Sequence, residues 1–481
     1  MSRRSRPAGR LQIDSTLRTT FRISTTEGVF SQIFATLAAP GSVFITRLAI
    51  LLGAGPVHFG LLSAAGQISL LFQPLGVAIT HRKSFRKKTV ILLAAAGRIL
   101  APLFGLIPFL FTGGSSLGIF LALYMFSAVF LALSANIWIG WINDTVPRRL
   151  RGRFFASRNR VLMVAGLVVG YIFGALVDLF SEDRGWLGDQ LARLLDVDPQ
   201  PSALKYALLA VFLMAGILGI IGLSILRRQP EMEKPHETEG VTSIFLSALR
   251  DRNFRMLLIF GFWWMVAIGI GAPFWQPFMM TVLRMDLVDI FMYATVSTAG
   301  ALLAVRFWGK LIDRAGNRAA MGIAIVLGTI NPLFWVLADE STLWLIYMEA
   351  FMSGIMWSCA GIVMTNFVLA VAPPGRAQVY SGIFSAVSGV GVIITMLASG
   401  FFMPGPMVLF GRHLHPEQVL FLCTALARLT AEIPLAFVRE PSVQRWPRTV
   451  VVAAQLFQQV TAAPYFAVRG LLGGRRRGQR D

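Results

Sequence analysis

Residues 204–226 read LKYALLAVFLMAGILGIIGLSIL, and residues 227–255 continue directly as RRQPEMEKPHETEGVTSIFLSALRDRNFR. The first stretch holds a single charge, Lys205, beside its start. A helix needs roughly 20 apolar residues to cross a hydrocarbon layer about 30 Å thick, and this stretch is long enough. The second stretch opens on Arg227 and Arg228 and is the longest polar segment between apolar runs. An apolar run closed by basic residues is the pattern of a span that ends on the cytoplasmic side of a membrane.

Reading outward from there, eleven more runs of the same kind are found. The twelve predicted spans are roughly 28–52, 58–80, 89–111, 116–142, 160–180, 204–226, 256–282, 287–308, 319–338, 342–371, 379–403 and 418–438. Only helices and closed barrels satisfy their backbone groups in lipid. Runs this long, rich in Leu, Ile, Ala and Gly, are helices, and the alternating ten-residue pattern of a barrel is absent. Composition agrees: 55% of the 481 residues are hydrophobic and 14% are charged, against about 25% charged in an average soluble protein. Mean hydropathy is +0.66. Disorder, fibres and an ordinary soluble globule are excluded. The first 26 residues are basic and polar, and the first apolar run is of membrane length, which is not the pattern of a cleaved leader.

The net charge of +20 raises the question of a nucleic-acid partner. The distribution of the charge answers it. Twelve spans place 35 of the 44 Lys and Arg on the side of the N-terminus, five on the opposite side and four within spans. The basic excess is therefore topological, with both termini cytoplasmic and an even number of spans; no nucleic acid is called for. The expected organisation is a basic tail (1–27), a six-helix bundle (28–226), a cytoplasmic linker (227–255), a second six-helix bundle (256–438) and a cytoplasmic tail (439–481). Within that tail, 449–472 reads as a helix on the inner leaflet, held partly by anionic lipid through Arg475, Arg476 and Arg477. The segment 181–203 is acidic and reads as an external loop. Cys359 and Cys423 both lie in apolar runs and read as packing residues, not as a disulfide framework.

The halves repeat. Ala39-Pro40 and Ala272-Pro273 both interrupt the first span of their half, 233 residues apart, and Gly76 and Gly309 close a span at the same separation. Two six-helix units in the same orientation are parallel repeats, which place a site at their interface near the bilayer midplane.

At the end of the eighth span, Gly309-Lys310-Leu311-Ile312-Asp313-Arg314-Ala315-Gly316-Asn317-Arg318 fits G-x-x-x-D-R-x-G-x-R. After the fourth span come Asn143-Asp144-Thr145-Val146-Pro147 and then Arg151-Gly152-Arg153. Together with the 6+6 layout, this resembles the major facilitator superfamily over residues 28–438. The resemblance implies an all-α membrane fold, solute transport by alternating access, and a loop cluster (Gly309, Asp313, Arg314, Gly316, Arg318, with Asp144, Arg151, Gly152 and Arg153) that latches the cytoplasmic helix ends in one access state. Gly309 would allow close helix approach, and Asp313 would accept backbone N–H groups or pair with an arginine. The other reading is that the loop only anchors topology. The first-half copy is degraded, with Thr80 where the aspartate belongs. The fifth span carries Gly166, Gly170 and Gly174, a spacing that suits close helix packing.

Charges at membrane depth are costly, so each is a candidate by default. Glu349, seven residues into the tenth span, reads either as a proton carrier or as the partner of a buried arginine. Arg98, in the middle of the third span, is expected in a packed ion pair or hydrogen bond. Arg428 and Glu432 are four apart and are expected to pair on one helix face. By resemblance, the first, fourth, seventh and tenth spans line the cavity. That brings in Gln32, Asn136, Trp138, Trp263, Trp264, Trp275, Gln276, Glu349 and Trp357, a set of aromatics and amides suited to an organic solute. Each tryptophan has packing or interfacial anchoring as its alternative. Pro273 and Pro277, with Gly269 and Gly271, should bend the seventh span.

The sequence has no phosphate-binding glycine loop, no nucleophile elbow and no zinc-protease helix. His413 and His415 have a metal-compatible spacing but no carboxylate or thiol beside them. No cofactor, no metal and no enzymatic reaction is expected. The reading is a monomeric permease of a bacterial-type inner (cytoplasmic) membrane, moving a small organic solute with protons as the candidate coupling ion. Its rivals are a non-transporting assembly factor or sensor on the same scaffold, and a lipid-modifying membrane enzyme.

Overall fold

The computed structural model describes residues 8–80, 85–181, 184–196, 201–231, 248–373, 376–409 and 411–439. The interior of the linker and nearly all of the C-terminal tail, with its expected surface helix, lie outside the described residues. Helices make up almost all of the fold. In chain order they are α1 (Ala8–Ala38), α2 (Val43–Leu51), α3 (Pro56–Leu71), α4 (Gln73–Thr80), α5 (Lys87–Leu110), α6 (Gly114–Thr145), α7 (Arg148–Asp178), α8 (Trp186–Leu195) and α9 (Pro201–Leu226). Then come α10 (Arg252–Gly271), a 3₁₀ turn (Ala272–Phe274), α11 (Trp275–Thr281), α12 (Leu287–Ala315), α13 (Asn317–Leu337), α14 (Leu343–Val371) and α15 (Ala377–Phe401). A small antiparallel hairpin, β1 (Met407–Leu409) and β2 (Arg412–Leu414), precedes α16 (Pro416–Thr430) and α17 (Glu432–Phe437).

Among the described residues, eleven helical segments are long and apolar enough to cross a membrane. They include each predicted span except the second. The run 58–80 forms two helices, α3 and α4, parted at Phe72. The cause is local: Pro74 has no N–H to continue the ladder, and it disfavours helical backbone just before it.

The first helix begins at Ala8, well before the expected span start at residue 28. Residues 8–27 were expected as a tail. They extend the helix because no proline interrupts them and because Thr20, Ser24 and Glu27, one face apart by three or four residues, are buried. The proline breaks fall where the repeat places them. Between α1 and α2, Gly41 takes φ +88° and the Ser42 hydroxyl accepts the Phe44 N–H to cap α2. At the matching point in the second half, Pro273 sits in the 3₁₀ turn. The acidic segment holds a helix the sequence reading missed, α8, which ends at Asp196 in the left-handed region, φ 53°.

The chain divides into two compact units. The first takes Met1–Glu239 together with Gly271–Met292 and Val392–Met403, and the second takes Gly240–Ile270, Tyr293–Gly391 and the residues from Pro404 onward. In the first unit, α5 packs against α6 and α9, and α1 against α7 and α9. The aromatic cluster of Phe104, Phe120, Tyr124 and Phe212 fills its core. In the second, α13 packs against α14 and α16. Trp335 meets Phe421 edge-on at 5.8 Å there.

Candidate functional site

Among the described residues, each unit holds one deeply buried arginine that donates to a glycine carbonyl on a neighbouring helix. In the first unit, α5 carries Arg98, 6% exposed. Its Nη1 donates to the Gly219 carbonyl on α9 at 2.6 Å, and its Nη2 lies 3.2 Å from Glu27 Oε1 on α1 and also donates to Ser31. In the second unit, α16 carries Arg428, whose Nη1 donates to the Gly328 carbonyl on α13 at 2.9 Å. Its charge is faced by Glu349 and by the Tyr293 hydroxyl, and its guanidinium lies 6.0 Å from the Trp357 ring. Tyr293 on α12 donates to Glu349 Oε2 on α14 at 2.8 Å. At Gly219 a side chain would fill the space the arginine crosses, since a Cβ there would approach Arg98 Cδ to 3.0 Å; at Gly328 a Cβ would meet Trp264 and Met356 at ordinary contact distances of 3.5 and 3.6 Å. The expected pairing for Arg98 is present. The expected Arg428–Glu432 pair is not. The helix is interrupted at Ala431, between α16 and α17, so the one-face spacing is lost. Glu432 is faced instead by Arg318, and its Oε1 is buried without a hydrogen-bond partner among the described residues.

The amide and aromatic candidates separate into groups. In the first unit, Gln276 accepts from Thr46 Oγ1 at 2.6 Å and donates through Nε2 to the Gly41 carbonyl at 3.0 Å, so the two proline breaks are hydrogen-bonded to each other. Trp275 and Gln276 line a cavity of about 480 Å³ there, with Ser63, Gln67 and Tyr124. Gln32 packs on Gly166 and contacts Thr36 at 3.4 Å. Asn136 is half-buried, and Trp138 stacks under Arg158 at 4.7 Å. In the second unit, Trp264 is buried and lies 6.4 Å from Trp357. Trp263 is 40% exposed; it donates to Thr430 at 2.9 Å and borders an apolar groove with Ile259, Ile433 and Phe437.

The loop motifs differ in what they build. Gly316 has φ +89° and starts α13, a turn that a side chain would strain. A Cβ at Gly309 would meet nothing within 4 Å, so its expected part in close helix approach does not hold in this structure. Asp313 is exposed and makes no ion pair or hydrogen bond among the described residues; Arg314 is also exposed. Nearby, Asn317 accepts from Asn366 Nδ2 at 3.0 Å, tying the start of α13 to α14. In the first half, Thr80 donates to the Gly76 carbonyl, and the ion pair is supplied by Arg86 to Asp144 at 3.1 Å. Arg151 donates to the Val146 and Asn143 carbonyls, closing the end of α6, while Gly152 and Arg153 are exposed. Glu231 accepts from the Lys87 N–H at 2.7 Å and from the Arg86 N–H, capping α5. The fifth-span glycines do pack closely: a Cβ at Gly170 would fall 2.2 Å from the Phe291 ring.

At the start of α12, two aspartates cap across segments. Asp178 accepts from the Leu287 and Val288 N–H groups at 3.0 and 2.9 Å, and Asp286 accepts from Asp289 and Gly185 at 2.6 and 2.9 Å. Burial, together with the Asp289 charge, raises the Asp286 carboxyl from 3.8 to about 6.

The sequence profile of the Major Facilitator Superfamily matches residues 28–396. Solved structures of the same fold include a variant of the nucleoside transporter NupG (TM-score 0.62, 12% identity, covering 88% of this chain and 100% of that one). They also include the xylose transporter XylE from E. coli (0.58, 13%, 92% and 99%). A third is a bacterial homologue of the human lysosomal transporter Spinster (0.57, 17%, 95% and 98%). At these identities they establish the fold alone. No curated protein matches the sequence.

Proposed function

The chain belongs to the major facilitator superfamily and is a multi-pass membrane transporter, and from that premise we propose that it is a secondary active permease moving a small organic solute by alternating access. The profile match over residues 28–396 carries this reading. We read the chain as twelve spans, counting the interrupted α3–α4 pair as one, in two six-helix halves. The asymmetry of 35 to five basic residues supports cytoplasmic termini and a cytoplasmic membrane. The chain works as a monomer, and anionic lipid holds its basic face. Protons are the coupling ion, and Glu349 is their carrier. A carboxylate hydrogen-bonded to Tyr293 and faced by Arg428 can exchange one proton while its charge partners stay in place.

The test is uptake of a panel of nucleosides, sugars and organic acids into vesicles holding the purified protein, with and without an imposed pH gradient. The wild type is expected to accumulate at least one solute when the gradient is imposed. Glu349→Gln is expected to lose that accumulation and keep solute exchange. Gradient-driven uptake that survives Glu349→Gln removes Glu349 as the carrier. No flux of any panel solute favours a non-transporting protein on this scaffold.

A further inference from the structure

A cavity of about 310 Å³ opens inside the first unit, among α1, α5, α6, α7 and α9. Its volume lies at the lower end of the roughly 300–1,000 Å³ typical of small-molecule sites. Three charged side chains line it: Glu27, Arg98 and Arg158. Glu27 is committed to Arg98, whose ion pair and glycine carbonyl are described above. Glu27 also faces Arg158, so two guanidinium groups share one carboxylate and the lining keeps one net positive charge. Arg158 spends its Nε–H on the Ser24 carbonyl at 3.2 Å, and its plane lies over the Trp138 ring. Gly28 makes room for it, since a Cβ there would stand 2.8 Å from Nη2. The two Nη groups make no hydrogen bond among the described residues. Two further donors in the lining, Trp138 Nε1–H and Arg98 Nε–H, are buried with no partner among the described residues.

Donors without acceptors, beside a held guanidinium and one net positive charge, call for an anion with planar oxygens. A carboxylate matches the guanidinium fork. The rest of the wall, Phe34, Leu131 and Leu223 among it, is apolar. We propose that this cavity binds an organic monocarboxylate with a compact apolar body. Its carboxylate takes the Arg158 Nη groups and the Trp138 indole N–H. This deepens the permease reading and rests on it only in taking the anion as cargo. A lipid phosphate shares the anion chemistry, but the cavity of about 310 Å³ is smaller than a whole phospholipid, and we assign the site to the free carboxylate.

The experiment measures binding and flux separately. Benzoate, hexanoate and pyruvate are titrated by calorimetry onto the full-length protein in nanodiscs of phosphatidylcholine and, separately, of phosphatidylglycerol. Benzyl alcohol and benzylamine serve as neutral and cationic controls. At least one carboxylate is expected to bind one-to-one in both lipids, with neither control binding. Arg158→Gln should weaken it by tenfold or more. Trp138→Phe, which keeps the ring and removes only the N–H, should weaken it several-fold without changing the ligand-free unfolding temperature. No binding by any of the three carboxylates, or equal affinity in Arg158→Gln, overturns the site. Binding that phosphatidylglycerol abolishes assigns the cavity to a lipid headgroup and overturns the carboxylate. Vesicle uptake of the same acids tests the cargo: binding without uptake keeps the site and refutes transport of the acid. Uptake unchanged in Arg158→Gln keeps the transporter and refutes this site.

Discussion

Arg428 is the residue on which the second unit's buried polar cluster turns. It holds the Gly328 carbonyl and faces Glu349 and Tyr293 at once. Arg428→Met is expected to destabilise the protein by about 3–5 kcal/mol, because it leaves a carboxylate buried without its counter-charge. The double variant Arg428→Met/Glu349→Gln should recover part of that loss. Thermal unfolding of the detergent-solubilised protein reads both, alongside Glu349→Gln alone; a double-variant loss equal to the sum of the two single losses would show that the two side chains do not interact. The candidates themselves were legible: a charge inside an apolar run is conspicuous, and Arg98 and Glu349 stand out for that reason. Their partners were not. Glu27 lies 71 residues from Arg98, in a stretch whose composition reads as a polar tail. Tyr293 and Arg158 are ordinary residues in the first half of their helices, and only the fold brings them to a carboxylate and a tryptophan. The Arg428–Glu432 expectation failed because a spacing of four pairs two residues only on a continuous helix.

Helices were the most legible elements, since a run of twenty apolar residues has few structured alternatives in lipid. Their ends were less so. Polar residues that face a helix neighbour continue α1 to Ala8, and composition alone cannot tell such a face from a solvated tail. Packing between elements sets two expectations. Gly354 on α14 sits against α12 so closely that a Cβ would fall 1.8 Å from the Ser297 carbonyl oxygen, whereas a Cβ at Gly361 would meet nothing within 4 Å. Gly354→Ala should therefore lower the unfolding temperature, by an overpacking cost of about 1–3 kcal/mol or more, and Gly361→Ala should not. The capping pair at the start of α12 sets the pH dependence. The Asp286 carboxyl is raised from 3.8 to about 6 in the folded protein. The folded state therefore binds more protons than the unfolded state between those values, so stability falls as pH rises through that window. The expected loss between pH 4 and pH 6.5 is on the order of 2 kcal/mol. Asp286→Asn should flatten that slope, and an unchanged profile would remove Asp286 as its source.

For the whole molecule, the family and the transporter class follow from one match across most of the chain, and the fold from transporters with little sequence in common. The repeat was visible in the sequence because proline breaks recur 233 residues apart. What no pattern could foretell is that Gln276 in one break bonds Thr46 and Gly41 at the other. On the proposed alternating-access mechanism, this contact parts during each cycle. The direct test is Thr46→Cys/Gln276→Cys in a chain whose own Cys359 and Cys423 are replaced by serine. Uptake is followed for whichever panel solute the wild type accumulates. Oxidation to the cross-link is expected to stop uptake, and reduction to restore it. Uptake at the same rate in the cross-linked and reduced protein would contradict the proposed mechanism.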